Sequence, residues 1–287
     1  MTAPPRHPVS SAPPAGGAAT VAAPPRRWAA SAPRVLTESG AIAHLAIQAI
    51  SRGLRGPYDF GPEFVAQLRF ALSIAILPLC ITSFALSFGP AGIQASNFLG
   101  LFGALDRMGG IYVLVVVRFF GPLVTAIVVA GCIGTAIAAD LGARKVREEL
   151  DALSVLGIDT VKSLVVPRLL AIIVVCVLFN VVSILAGTLG AIVVVLQNDA
   201  DLGPFFAAFF SSATTLELGA SFLKCAVYGV MIALVCCYKG MNAAGGAEGV
   251  GRAVNQAVVM TFLMIGAIDY VFTQALLATF PILSEVR

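Results

Sequence analysis

The stretch Glu148–Ala171, EELDALSVLGIDTVKSLVVPRLLA, decides how this chain is organised, because it places a charged segment between two long apolar runs. Its acidic residues are followed by Leu153, Leu156 and Gly157, and a second apolar run comes after them. Both flanking runs exceed the ~20 residues that a helix needs to cross a bilayer. The stretch therefore predicts a short helix at about 144–157, held at the membrane surface where a partner protein could reach it.

The composition assigns the chain to the integral membrane proteins. Apolar residues make up 59% of its 287 positions and charged residues only 11%, whereas soluble domains carry about 25% charged residues. The formal net charge of +3 is too small to favour nucleic acid as a partner. All six cysteines fall inside apolar runs without metal-ligand spacing, which indicates small buried hydrophobic residues and no metal site.

Five apolar runs predict five transmembrane helices in an all-α membrane protein. The runs are Leu68–Phe88, Tyr112–Ala139, Leu169–Leu196, Ala213–Tyr238 and Val254–Phe280, and the fourth has an alternative start at Phe205. Residues 1–34 are rich in Pro and Ala and predict a disordered tail. Residues 35–67 predict an amphipathic helix at the membrane interface with its connector, which leaves 68–287 as the membrane domain. The predicted apolar face of this helix consists of Ile42, Leu45, Ala49, Ile50 and Leu54.

The positions of arginine and lysine predict the orientation in the membrane. Fourteen lie in the tail, the amphipathic helix and two of the connections, whereas only Arg107 and Arg287 lie on the other side. The positive-inside rule then places the N-terminus in the cytoplasm, and five crossings place the C-terminus outside. The same parity puts the Glu148 segment on the cytoplasmic side of the inner (plasma) membrane.

Four ionisable side chains are predicted at membrane depth. Each costs about 2.5–3.5 kcal/mol at the bilayer centre, so each needs protein, water or another partner. For Arg118 and Glu217, near the outer ends of their spans, two alternatives stay open: a structural role, as an ion pair or as snorkelling end residues, and a lipid contact. Asp269 lies in the middle of its span, and Lys224 and Asn180 are its candidate partners.

Small residues recur every four positions along the second apolar run, at Ala126, Ala130, Gly134 and Ala138. Such a stripe predicts close helix contact, either inside the chain or against a second subunit. The sequence contains no G-x-x-x-x-G-K-[ST] phosphate loop, catalytic triad or zinc ligand set. We therefore expect no enzymatic activity and no cofactor in this chain.

Several blocks of the sequence resemble the MlaE/YrbE permeases, which include the YrbE subunits of mycobacterial-type Mce lipid importers. In chain order the blocks are RFFGPLVTAIVVAG at 118–131, IAADLGARKVREELDALSVLGID at 137–159, VVPRLLA at 165–171, LELGASFLKCAVYG at 216–229, CYKG at 237–240, GGAEGVGRAVNQAVV at 245–259 and the Asp269–Tyr270 pair. The resemblance implies an interfacial N-terminal helix, five spans, and a cytoplasmic coupling helix between spans two and three.

The resemblance also implies the function of a permease in an ATP-driven, MCE-type lipid importer. Its implied partners are a second YrbE-type permease in a heterodimer, a cytoplasmic ATPase dimer that binds ATP and Mg, and MCE-domain proteins. The implied ATPase-coupling residues are Glu148, Glu149, Asp151, Leu153, Leu156 and Gly157. The implied intramembrane lipid path consists of Arg118, Phe119, Leu123, Glu217, Lys224 and Asp269.

Two departures from the family pattern favour an apolar substrate. Related permeases often carry Arg-Glu where this chain has Arg118-Phe119, and Ala-Gly-Arg where it has Ala130-Gly131-Cys132. The implied substrate is a fatty acid, a mycolic-type lipid or a sterol. Two other functions stay open: a non-transporting scaffold for an MCE assembly, and an independent secondary transporter, which predicts an internal repeat and ion-coupling residues at broken helices.

Overall fold

The computed structural model of the protein describes residues 32–53 and 61–279, with side chains from residue 38 onward. Within these residues every regular element is helical and no strand occurs. Five helices are long and apolar enough to cross a membrane, and we call them spans one to five: Gly61–Leu101, Leu105–Val146, Val161–Gln197, Thr215–Met241 and Gly246–Thr279. The predicted all-α membrane fold with five spans is confirmed.

The first three spans contain π-helical turns, which the sequence pattern did not predict. Span one consists of α-helix Gly61–Leu86, π-helical turn Ser87–Ile93 and α-helix Gln94–Leu101. Span two consists of 3₁₀ turn Leu105–Arg107, α-helix Met108–Tyr112, π-helical turn Val113–Phe120, α-helix Gly121–Val129, π-helical turn Ala130–Gly134 and α-helix Thr135–Val146. Span three consists of π-helical turn Val161–Val165 and α-helix Val166–Gln197. Because a π-helical turn bonds i to i+5, each one rotates the residues that follow it.

Two shorter helices join the spans. The connector helix, Glu149–Val155, lies between spans two and three, and the outer helix, Leu202–Ser212, lies between spans three and four. The predicted helix at 144–157 is thus divided, since residues 144–146 belong to span two. Span four begins at Thr215, so Phe205 belongs to the separate outer helix and does not start the span.

The chain divides into two compact units, Met1–Ser39 and Gly40–Arg287. Of the first unit, the structure describes only residues 32–39, the opening turns of the N-terminal helix Ala32–Gly53. Most of the predicted tail at residues 1–34 lies outside the described residues. The helix begins at Ala32, three residues before the predicted start, and span one begins at Gly61, before the predicted boundary at residue 68.

The second half of the N-terminal helix packs on the membrane bundle. Ile42, Leu45 and Ala49 are buried in the main hydrophobic core, as their spacing predicts. Ile50 was expected on the same face, but it is 56% exposed, as is its neighbour Ile47 at 66%. The helix therefore has one apolar side against the protein and a second one that is uncovered.

Spans one and three run in parallel and contact each other through serine side chains. Ser83 Oγ lies 2.8 Å from Ser183 Oγ, and one turn further on Ser87 Oγ donates a hydrogen bond to the carbonyl oxygen of Gly187 at 2.7 Å. Both contacts join residues 100 positions apart, so the two helices advance in the same direction. These bonds satisfy hydroxyl groups that hydrocarbon could not.

The small-residue stripe of span two packs against span four of the same chain. A Cβ atom added at Gly134 would lie 2.8 Å from Cys236 Sγ, and one added at Gly240 would lie 2.9 Å from the carbonyl oxygen of Ala138. The four stripe residues are all buried within the chain. Of the two predicted alternatives, the structure therefore supports packing inside the chain.

Candidate functional site

The four predicted intramembrane ionisable residues lie together between spans two, four and five. Arg118 belongs to the π-helical turn of span two, Glu217 and Lys224 are two turns apart on span four, and Asp269 is on span five. Their side chains are 9%, 7%, 3% and 22% exposed in that order. Two positive and two negative formal charges balance in this charged cluster, as a low-dielectric site requires.

Arg118 and Glu217 form an ion pair across 99 residues of sequence. The Nη2 of Arg118 donates to Glu217 Oε1. The backbone N–H of Glu217 in turn donates to the hydroxyl of Thr214 at 3.3 Å, which caps the start of span four. The structural ion pair, one of the two alternatives that the sequence left open, is therefore present.

Lys224 binds three acceptors at once. Its Nζ lies 2.5 Å from Asp269 Oδ1, 3.1 Å from Thr273 Oγ1 and 3.4 Å from the carbonyl oxygen of Arg118. That carbonyl has no helical donor at i+4, because residue 122 is Pro122 and carries no N–H. The proline thus opens a backbone acceptor that the lysine uses, and the predicted pairing of Asp269 with Lys224 is confirmed.

Hydroxyl and amide groups complete the surroundings of the cluster. Tyr228 donates its hydroxyl to Asp269 Oδ1 at 2.6 Å. Asn180, the other candidate partner of Asp269, donates instead to Ser221 Oγ at 2.8 Å. Asp269 Oδ1 therefore contacts both a cation, Lys224, and a neutral donor, Tyr228.

The two apolar residues assigned to the lipid path lie in different surroundings. The Phe119 ring is 37% exposed, and its centroid lies 5.5 Å from Lys224 Nζ, a cation–π distance. Leu123 is half-buried against the main core. It does not line the cleft that opens beside the charged cluster, although Arg118, Glu217 and Lys224 do.

Two residues in left-handed backbone conformation delimit the connector helix. Glu148, with φ of 60°, separates it from span two, and Gly157, with φ of 75°, ends it. The backbone N–H of Gly157 donates to Ser154 at 3.1 Å and that of Ile158 donates to Leu153 at 3.0 Å. This is a Schellman motif, which fixes the exit direction of the chain. The connector helix is therefore held in a defined orientation at both ends.

The acidic residues of the connector helix have basic partners in the same chain. Arg147 Nε lies 2.8 Å from Glu149 Oε1, and Lys145 Nζ lies 2.8 and 2.9 Å from the two oxygens of Asp151. Glu148 is exposed. Of the three carboxylates that the resemblance assigns to ATPase coupling, two are therefore already engaged locally.

The end of the connector helix exposes large apolar side chains instead. Val155 and Leu156 are 87% and 74% exposed, whereas Leu150 is buried and Leu153 is half-buried against the main core. One face of the helix thus anchors it to the bundle while its C-terminal end stays uncovered. Val155 was not among the predicted residues, although the run Leu153-Ser154-Val155-Leu156 contains more apolar residues than one helix face can bury.

An ion pair between a buried arginine and a partly exposed aspartate joins the two spans that flank the connector helix. The Arg168 side chain is 1% exposed, and its Nη2 lies 2.6 Å from Asp140 Oδ2. The other Asp140 oxygen accepts a bond from Arg144 Nε at 3.2 Å. The sequence reading counted Arg168 only as a positive charge at the membrane surface, and Asp140 was not among the predicted site residues. Their pairing fixes span two against span three at the base of the connector helix.

One region of the chain matches a known family, and it includes the connector helix, the Asp140–Arg168 pair and the charged cluster. The family described as Permease MlaE matches residues 64–275. This chain belongs to the MlaE permease family. The resemblance noted from the sequence is confirmed at that level, and the YrbE subtype of Mce importers stays a prediction.

Relatives of this MlaE-family permease occur in bacteria and in a plant. A probable ABC transporter permease protein of Rickettsia bellii is 28% identical over 244 residues, which cover 84% of this chain and 93% of that protein. The chloroplastic protein TRIGALACTOSYLDIACYLGLYCEROL 1 of Arabidopsis thaliana is 31% identical over 205 residues, 70% of this chain and 57% of that protein. The intermembrane phospholipid transport system permease protein MlaE of Haemophilus influenzae is 26% identical over 184 residues, 63% of this chain and 70% of that protein.

A further ion pair of the MlaE-family permease, Arg52 with Asp159, links the N-terminal helix to the loop after the connector helix. Arg52 Nη1 lies 2.6 Å from Asp159 Oδ1. The same oxygen accepts the backbone N–H groups of Val161 at 3.0 Å and Lys162 at 3.3 Å. Because both side chains are more than one third exposed, the pair adds little stability. Its effect is positional, since it holds three elements together at the start of span three.

Proposed function

We propose that this MlaE-family chain is the membrane permease of an ATP-driven, MCE-type lipid importer, and that its connector helix is the coupling helix for an ATPase. The observation that carries the proposal is the uncovered apolar end of that helix, Val155 and Leu156. Two large apolar side chains at the tip of an ordered helix are typical of a protein contact. The ATPase partner, which would bind ATP and Mg, is proposed because relatives bear the name of ABC transporter permeases.

The contacts of the connector helix suggest how its motion would reach the membrane. Leu150 is buried in the main core, and the Asp140–Arg168 pair joins spans two and three at the base of the helix. Span two carries Arg118 of the charged cluster nearer its other end. A shift of the connector helix on ATPase closure would therefore move spans two and three as one body and change the surroundings of the cluster.

The connector helix lies on the cytoplasmic side in this proposal. The excess of arginine and lysine in the tail and in the connections on that side supports it, through the positive-inside rule. The N-terminus is then cytoplasmic, the C-terminus is outside, and the N-terminal helix lies in the interface of the inner membrane. The exposed Ile47 and Ile50 give that helix an apolar side for the acyl boundary.

The remaining partners and the substrate are proposed on the resemblance to Mce-type permeases. They are a second, non-identical YrbE-type permease, MCE-domain proteins that deliver the lipid, and a fatty acid, mycolic-type lipid or sterol as cargo. The small-residue stripe no longer supports the heterodimer, because it is used inside the chain. Native mass spectrometry of the complex should show one copy of this chain for each copy of the second permease, and a stable homodimer would contradict the pairing.

Replacing Val155 and Leu156 together with serine should weaken binding of the ATPase by about thirty- to a thousandfold, because truncated interface anchors commonly cost about 1–2 kcal/mol each. Lipid-stimulated ATP hydrolysis should fall with it, while detergent stability stays normal because both side chains are exposed. Replacing Glu149 and Asp151 with alanine should have a smaller effect, since both already have partners in the chain.

The matched control is a second exposed apolar pair, Leu101 at the C-terminal end of span one and Phe102 directly after it, which are 84% and 69% exposed. In the proposed topology this pair lies on the other side of the membrane from the connector helix. Their replacement with serine should leave ATPase binding unchanged. A Val155/Leu156 variant that copurifies normally with the ATPase would remove the coupling assignment. It would then favour a scaffold or a secondary transporter.

Cysteine labelling in intact cells should establish the orientation. A cysteine at Ala247, in the exposed first turn of span five, should react with a membrane-impermeant reagent only after the cytoplasm is opened. One at Asp201, before the outer helix, should react from outside. Ala247 is preferable to the adjacent Gly246, whose φ of 70° disfavours a side chain. Labelling of both cysteines from one side would contradict the five-span topology.

A further inference from the structure

The polar atoms of the cleft beside the charged cluster include a carboxylate oxygen that no described residue binds. Lys224 has three N–H donors, and its three acceptors are the carboxylate of Asp269, the hydroxyl of Thr273 and the carbonyl of Arg118. Arg118 is paired with Glu217 Oε1. The second carboxylate oxygen, Glu217 Oε2, is buried and accepts no hydrogen bond from any described residue. A buried acceptor without a donor costs about 1–3 kcal/mol, so it is a place where a ligand would be stabilised.

The charge balance of the cleft decides which chemical groups fit there. Both cations already have carboxylate partners, so an entering phosphate or carboxylate would add a net negative charge to a buried, neutral cluster. An entering ammonium group would add a net positive charge, and burial of either ion is far more costly than burial of a hydrogen-bonded hydroxyl. Glu217 Oε2 is an acceptor, so its complement is a neutral donor.

We propose that this cleft binds the head of a lipid through an uncharged hydroxyl group that donates to Glu217 Oε2. The inference rests on the proposed permease function and narrows its substrate to neutral, hydroxyl-bearing lipids. The cleft has room for about one water-sized group, a volume of about 10 Å³, which is far below the volume of sites that enclose a whole ligand. Only the head enters, and Phe272 and Leu276 supply apolar contacts for the first carbons beyond it.

The test compares lipids with identical dioleoyl chains and different heads, bound to the purified permease complex in nanodiscs without nucleotide. The probes are dioleoylglycerol, its 3-O-methyl ether, dioleoyl phosphatidic acid and dioleoyl phosphatidylethanolamine. Dioleoylglycerol should bind at least tenfold more tightly than the methyl ether, which lacks the donor and carries one more methyl group on that oxygen, because one hydrogen bond to a charged acceptor contributes about tenfold. It should also bind more tightly than either phospholipid.

Substitutions at two neighbouring residues test whether the preference for the hydroxyl-bearing lipid arises at this cleft. Ala220→Leu places a larger side chain on the cleft wall and should abolish the preference for the hydroxyl. Gly219→Leu adds the same group at the preceding residue, where nothing lies within 4 Å, and should leave the preference intact. The ranking in the unmodified protein stands whether or not either variant folds.

Three outcomes would overturn the inference. Equal binding of dioleoylglycerol and its methyl ether would mean that Glu217 Oε2 holds only water. Tighter binding of phosphatidic acid or phosphatidylethanolamine would mean that the cluster recognises a charged head. A preference that survives Ala220→Leu would place the hydroxyl site elsewhere. Because binding is measured without nucleotide turnover, each of these outcomes leaves the ATPase-docking test of the proposed function unaffected.

Discussion

Replacing Asp140 with alanine is expected to destabilise the protein by about 3–5 kcal/mol, because it leaves the Arg168 guanidinium buried without a counter-charge. Arg168 is 1% exposed, and Asp140 is its carboxylate partner at 2.6 Å. The other hydrogen bond of Arg168, which its Nη1 donates to the carbonyl oxygen of Leu164, is long at 3.3 Å. The expected fall in melting temperature is about 10 °C or more, measured by thermal unfolding in detergent.

Removal of the other partner should be much less harmful. Arg168→Met deletes the buried charge and keeps most of the side-chain volume, while Asp140 stays 42% exposed and keeps Arg144 as a partner. We expect a change within about 1 kcal/mol, since apolar replacement of a buried ion pair is often neutral. The double variant Asp140→Ala with Arg168→Met should therefore be more stable than Asp140→Ala alone.

An exposed ion pair provides the matched control. Glu248 and Arg252 lie 2.7 Å apart at i and i+4, with side chains 82% and 59% exposed. Glu248→Ala removes an acidic partner in the same way, but it should cost only about 0.3–0.5 kcal/mol. If Arg168→Met destabilised the protein as much as Asp140→Ala, and the double variant gave no recovery, buried charge would not be the reason for the loss.

The number of spans was predictable because it depends on composition and length alone. The predicted runs at Leu68–Phe88, Tyr112–Ala139 and Leu169–Leu196 each lie inside a longer helix of the structure. The pairing of Lys224 with Asp269 was also predictable, because an isolated charge at membrane depth needs a partner and few candidates exist. Both predictions follow from the energetics of the bilayer and require no knowledge of helix rotation.

The sequence could not predict which helix packs against a given face of a span, because that depends on how the span is rotated about its axis. Positions four apart on an α-helix drift around the axis by about 40° per step. The stripe from Ala126 to Ala138 crosses the π-helical turn Ala130–Gly134, whose extra residue per turn offsets this drift and helps to keep the stripe against span four. No residue pattern announced that turn, so the sequence could not assign the stripe to an intrachain contact.

The ion pair between Asp140 and Arg168 illustrates the same limit. Asp140 and Arg168 are 28 residues apart, on either side of a turn, a short helix and a second turn. Their meeting depends on the left-handed conformation of Glu148, which a non-glycine residue rarely adopts. The available signal was an arginine directly after Pro167, in the first turn of the α-helix Val166–Gln197. This signal did not distinguish a buried arginine from one that anchors the end of a span at the membrane surface, where arginine is also common.

The second large effect is expected at the Lys224–Asp269 pair. Asp269→Leu leaves the Lys224 ammonium at membrane depth with only the neutral Thr273 hydroxyl and the Arg118 carbonyl as acceptors. We expect a loss of about 3–5 kcal/mol and poor recovery of folded protein from the membrane. Lys224→Met should be milder, because Asp269 is 22% exposed and still accepts the Tyr228 hydroxyl.

A combined replacement separates the structural role of this pair from its role in transport. Lys224→Met with Asp269→Leu removes both charges, and Tyr228→Phe removes the hydroxyl that would otherwise lose its acceptor. This triple variant should regain most of the stability lost by Asp269→Leu, because no buried polar group of the pair is left unmatched. Its lipid-stimulated ATPase activity should stay low, because the wall of the cleft has changed. If the triple variant regained full activity together with stability, Lys224 and Asp269 would have only a structural role.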